Sequence, residues 1–157
     1  MSTEILLRSA GNALVRAGTV LVQVRSAALT DEALTRLEQA VLAQRAASRG
    51  KLGAIAVIEE TAELLSPTLR ERQKTVIRGL LDDPRTYAAL VVEGDGIKAG
   101  LFRTLARAVG RGNTRMRIVA TQDEGIAWLL PAIESSDRAG VERGLVDARA
   151  AARGTAP

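Results

Sequence analysis

Three short apolar runs rich in β-branched residues, LGAIAVIE (52–59), YAALVVEG (87–94) and MRIVA (116–120), alternate along this chain with spans of helical periodicity. Apolar residues at successive positions, rather than at every second one, suit strands covered on both faces, as in a largely parallel sheet between helices. The spans between the runs predict the crossover helices that parallel strands require. In the first, Thr30 precedes Asp31 and Glu32, and Leu34, Leu37 and Val41 recur at helical spacing as far as about Ser48. An N-cap hydroxyl followed by acids satisfies free N–H groups and complements the positive end of the helix dipole. In the second, Ser66 and Pro67 open a helix with Leu69, Val76, Ile77 and Leu80 on its apolar stripe. Proline fits the first helical position because its missing N–H has no partner there anyway. The third is expected to carry Ile97, Leu101, Leu105 and Ala108 inward and to close at Gly110 and Gly112. The last begins at Thr121, with Glu124 three residues on as in a capping box, and Pro131 is expected to end or kink it.

Upstream, Val20, Val22 and Val24 alternate, and Ala17-Gly18 can turn the strand back on Ala13 to Arg16 as a β-hairpin. The fold expected is α/β: a mixed, mainly parallel sheet with an N-terminal hairpin and about four helices. With 157 residues, one domain over residues 1–133 accounts for the pattern. Residues 134–157 are small and polar, and read as a short helix or disordered tail.

Composition narrows the chemistry. Cysteine and histidine are absent, which removes thiolate and imidazole metal sites, Cys-His and Ser-His-Asp catalysis, and disulfides. Only Phe102, Tyr87 and Trp128 are aromatic, too few for base-stacking platforms, so no nucleic-acid partner is expected. The net charge of +4 arises from bases interleaved with acids. No signal peptide and no apolar span of membrane length is evident, so the expected location is the cytoplasm.

The order of elements, together with the ending MRIVATQDEGIAWLL, resembles the STAS domain of anti-sigma-factor antagonists and the wider SpoIIAA-like group that includes short STAS/SEC14-type proteins. The resemblance spans about residues 13–133 and implies a non-enzymatic regulatory module that binds another protein and uses no cofactor or metal. Its SEC14 side implies the alternative, a small-ligand or lipid-binding protein. Phosphorylated members of the family carry an Asp-Ser-Ser/Thr-Gly type turn before the second long helix. This chain has EETAELLSPTLRE there, which leaves Thr61 and Ser66 as possible phosphoacceptors. Glu59, Glu60 and Glu63 would repel a phosphate at that helix start, and a capping role is the plainer one for Ser66.

The docking surface so implied comprises Thr61, Ser66 and Arg70 at the start of the second helix, with Gly94, Asp95, Gly96 and Lys98 in the following glycine turn. That turn, Gly-x-Gly-x-x-x-Gly between a strand and a helix, could cradle an anion, although Asp95 opposes one. Arg103, Arg107 and Arg111, four residues apart, form a possible anion patch, for lipid headgroups among others, or simply a solvated helix face. Glu59, Glu60, Glu93 and Asp95 could hold Mg²⁺ at the carboxyl edge of the sheet, a third and enzymatic reading without a partnering base or nucleophile. An apolar cavity of about 300–1,000 Å³, the usual size of ligand pockets, lined by Leu64, Leu65 and Leu101, would mark the ligand-binding alternative.

Overall fold

A computed structural model describes residues 2–154. Six strands, β1 (Thr3–Ser9), β2 (Asn12–Ala17), β3 (Val20–Arg25), β4 (Leu52–Ile58), β5 (Thr86–Val92) and β6 (Met116–Val119), form one sheet in sequence order. The β1–β2 and β2–β3 pairs are antiparallel, and β3 through β6 are parallel. Helices α1 (Asp31–Ala47), α2 (Pro67–Asp82) and α3 (Ile97–Val109) connect the parallel strands, and α4 (Gln122–Ala132) and α5 (Arg138–Ala152) come after β6.

The hairpin expected from Val20, Val22 and Val24 is the β2–β3 pair, and it turns at Gly18, whose φ is +60°. Strand β1, absent from the sequence expectation, adds to its free edge. A register shift between Ile5 and Leu7 breaks the alternation that would have revealed it.

Strand order explains the layers. Because the parallel strands advance across the sheet without reversal, crossovers of one hand must all pass over the same face. Helices α1 and α2 accordingly cover one face, where Leu14 and Leu21 meet Leu34, Leu37, Val76 and Leu80. Helix α3 packs beside them through Ala99 and Phe102 on Ile58 and Val92. The other face, with Val15, Val20, Val22, Val24, Ile55, Val57 and Val91, can be covered only by the chain beyond β6. Helix α4 takes the β4–β6 half and α5 the β1–β3 half.

The segment read as a short helix or tail is therefore a 15-residue helix in the main core, with Val141, Leu145, Ala148 and Ala151 each at most 1% exposed. Its buried stripe is mostly Gly and Ala, which is why it looked too poor to dock. Small side chains let the helix lie close against the sheet: a Cβ on Gly144 would stand 3.1 Å from Ala17 Cβ and 3.3 Å from Val22 Cγ2. Residues 155–157 of that expectation lie outside the described residues.

Pro131 sits in the last turn of α4, which ends one residue later. Beyond it, Glu134 adopts φ +58°, while Ser135 N–H donates to Leu130 O at 2.9 Å and Glu134 N–H to Pro131 O at 3.1 Å. These are the paired bonds of a Schellman cap, whose left-handed position favours glycine. Glu134→Gly is expected to stabilise the protein by about 0.5–1 kcal/mol, since it relieves a left-handed backbone and loses only an exposed pair with Lys51. A urea midpoint that falls instead would show that the Lys51 pair or the greater freedom of glycine in the unfolded chain dominates.

Candidate functional site

Strands β3, β4 and β5 end together at Arg25, Ile58 and Val92, so the segments after them share the carboxyl edge of the sheet. The 59–66 and 93–96 loops are in contact there. Glu93 N–H donates to Ile58 O at 3.0 Å, and a Cβ on Gly94 (φ +94°) would stand 2.8 Å from Glu60 Cγ. Gly94 thus has a left-handed backbone that favours glycine, and a larger residue would also have to displace the exposed Glu60 side chain. Gly96 and Gly100 have open space where a Cβ would be. Gly96 is the α3 N-cap, with no side chain to bond the free N–H groups.

The 59–66 loop is laced to the β3–α1 connection. Thr61 Oγ1 donates to Ser26 O at 2.6 Å, and Glu63 N–H donates to Ala27 O at 3.3 Å. Ser66 is the α2 N-cap and accepts from Leu69 N–H at 3.3 Å. Arg25, 3% exposed at the end of β3, holds the remainder: Nη2 donates to Glu63 O, and the guanidinium lies 5.0 Å from the centre of the Phe102 ring on α3. Burial pushes its pKa down to about 10, and nearby Glu63 opposes that, so it stays charged at neutral pH. One buried cation therefore joins the loop after β4 to the helix after β5.

The acids at this edge are engaged from the opposite face. Arg149 of α5 reaches Glu93 with Nη1 and Nη2 at 3.1 Å to the two carboxylate oxygens, and its Nη1 is also 3.1 Å from Glu59 Oε1. Arg153 stands 3.4 Å from Glu59 Oε2. Burial opposes the charge on Arg149, but its bonds to Glu93 and Glu59 outweigh that and raise its pKa. Of the four acids considered for Mg²⁺, two are thus paired with arginine, and among the described residues no group of three or more converges as a metal site.

Glu59, Glu60, Glu93, Gly94, Asp95, Gly96 and Lys98 line an edge cleft of about 330 Å³ floored by Ala99 and Phe102. Of the expected docking residues it gathers Gly94, Asp95, Gly96 and Lys98; Thr61, Ser66 and Arg70 lie outside it. Arg103 bends back to donate to Val92 O and Gly94 O at 2.8 and 2.7 Å, so it pins the glycine turn, while Arg107 and Arg111 are exposed.

The inward stripe expected for α3 is rotated. Ala99, Phe102 and Ala106 face the core, Ala108 is exposed, and Ile97 and Leu101 are 88% and 45% exposed. Phe102 decides the rotation, because its ring is the largest apolar side chain on α3 and gains most from burial above Ile58 and Val92. Leu64 is 42% exposed in the neighbouring loop. Three large apolar side chains therefore stand out from the loop after β4 and the helix after β5, which Arg25 ties together.

A second, apolar pocket of about 170 Å³ lies between α2, α3 and the sheet. Leu65 lines it; Leu64 and Leu101 do not. Arg25 and Arg149 are the residues at this edge that sequence reasoning missed. The signal for Arg25 was present, since Leu21, Gln23 and Arg25 alternate on one face of a strand whose other face is valine. Among the described residues, no helix is long and apolar enough to cross a membrane.

The chain matches no family model and no curated protein sequence. Fold and site together define a three-layer α/β protein with a mixed six-stranded sheet, whose carboxyl edge carries a loop and a helix start with exposed apolar side chains.

Proposed function

We propose that this protein is a non-enzymatic interaction module of the STAS, SpoIIAA-like kind, which docks another protein through the carboxyl-edge surface formed by residues 59–66 and 93–101. The order of elements supports the family reading. One observation carries the docking role: Leu64, Ile97 and Leu101 are exposed on the loop after β4 and on the start of α3, which Arg25, Arg103 and Thr61 hold in fixed positions. Exposed apolar side chains grouped on a polar-rimmed surface mark an interaction site, and an ordered loop loses little entropy on binding.

A photo-crosslinking residue placed at position 97 or 101 tests this in cells that express the protein. The same adduct from both positions, absent when the crosslinker is placed at the exposed Leu42 of α1 and reduced at least about tenfold by Leu64→Glu, is the expected result, as for a contact worth about 1.4 kcal/mol or more. No adduct from either position, or equal adducts from position 42, would overturn it.

A further inference from the structure

We propose that the pocket between α2, α3 and the sheet is a binding site for a small amphipathic anion, a carboxylate or similar monoanion with a single apolar body of about six to eight carbons. The space is built by sequence. On the face of the sheet that α2 and α3 cover, β4 and β5 present Ala54, Ala56 and Ala88, where neighbouring positions carry Leu14, Leu21 and Leu90. Alanines under two helices leave the helices propped apart, with Ile77 on one wall and Leu105 on the other.

The volume of about 170 Å³ selects the occupant. Apolar cavities of about 150 Å³ take up benzene, whereas pockets for drug-sized or larger ligands begin near 300 Å³. A two-chain lipid does not fit, nor does a partner helix, which is about 10 Å across.

The charge is selected by Arg70. It lines the pocket, is half-buried, and its Nε is inaccessible to water and has no hydrogen-bond partner among the described residues. The other cations of the same helix turns are matched: Arg72 bonds Asp31 and Glu38 at 2.5 and 2.9 Å, and Lys74 bonds Glu71 at 2.9 Å. A buried guanidinium N–H without an acceptor is costly, and a ligand carboxylate supplies the charge-assisted bond that the protein does not. Gln23 and Gln73 line the pocket too and add amide groups for a polar head, while the other two cations of the lining, Arg25 and Lys74, are already engaged by Glu63 O and Glu71.

Titration of the isotopically labelled full chain with octanoate, monitored by amide spectra, tests the assignment. Octanoate is expected to shift Ala54, Ala56 and Ala88, and octanol, which lacks the charge, to bind at least about tenfold more weakly, as loss of one charge-assisted bond implies. Arg70→Gln, a change on a partly exposed helix position that leaves the core intact, should bring octanoate down to the affinity of octanol. Ala56→Leu, which fills the floor, should abolish both. If millimolar octanoate leaves these amides unmoved, or if Arg70→Gln binds octanoate as tightly as the parent, the assignment is overturned. The titration needs no protein partner, so its failure leaves the docking surface unaffected.

Discussion

Leu145→Ala is expected to destabilise the protein by about 2–5 kcal/mol, the range found when a fully buried leucine is truncated in a core that cannot collapse around the gap. Leu145 is 1% exposed and packs on the valine face of β2 and β3 in the larger core. The sheet beneath is held on its other face by α1 and α2, so relaxation into the space is limited. Val146, the next residue, is 67% exposed and serves as the internal control. Its change to alanine should stay within about 0.5 kcal/mol, as surface substitutions do. The measurement is the urea midpoint and slope of each variant. If α5 were a loosely docked tail, both variants would unfold at the parent midpoint, and a parent-like Leu145→Ala would remove α5 from the folded core. With typical domain stabilities of about 5–15 kcal/mol, the expected loss is a large share of the whole.

The same helix shows what the sequence made legible and what it hid. Elements whose own pattern announces them were readable: β4 and β5 from apolar runs, α1 from Thr30 and its acids, α2 from Ser66 and Pro67, and α4 from Thr121 and Glu124. Helix α5 was obscured because its burying stripe, Gly140, Val141, Gly144, Leu145, Ala148 and Ala151, is low in apolar area per residue. The need for it was nevertheless implicit. Three crossover helices on one face leave Val20, Val22 and Val24 bare on the other, and something after β6 had to cover them. At the carboxyl edge, the coming together of the 59–66 and 93–96 loops was a consequence of the parallel strands alone. The role of individual side chains was not, because the partners of Arg25, Arg103 and Arg149 are backbone carbonyls and acids that only tertiary packing brings near. The rotation of α3 was lost for a related reason: Ile97, Leu101 and Leu105 form as good a stripe by period as Ala99, Phe102 and Ala106, and the lone phenylalanine settles it by size.

Arg25→Met is expected to cost about 2–3 kcal/mol and to loosen the docking surface more than the rest of the fold. Methionine matches most of the arginine's length and keeps the buried position apolar, so packing loss is small. The variant loses the donor to Glu63 O and the cation over Phe102, worth about 1–3 and about 1 kcal/mol in a desolvated site. Partly offsetting this, a charged group no longer has to be desolvated, the same burial that pushes its pKa down to about 10. The sum is a net loss because Arg25 is the donor that serves the Glu63 carbonyl, whereas Ala27 O, which Arg25 also approaches at 3.5 Å, keeps the Glu63 N–H. Hydrogen exchange separates the local effect from the global one. Amides of Ala62 and Glu63 should lose protection beyond the fall in global stability, while those of α5 should track the global value. Uniform loss across the chain would make Arg25 a core residue with no special hold on the loop. Unchanged protection at 62 and 63 would mean that Thr61 and its bond to Ser26 O suffice to order it. Because Arg25 touches both the loop after β4 and the helix after β5, loosening of Glu63 should be accompanied by weaker crosslinking from position 97, through a residue that never meets the partner itself.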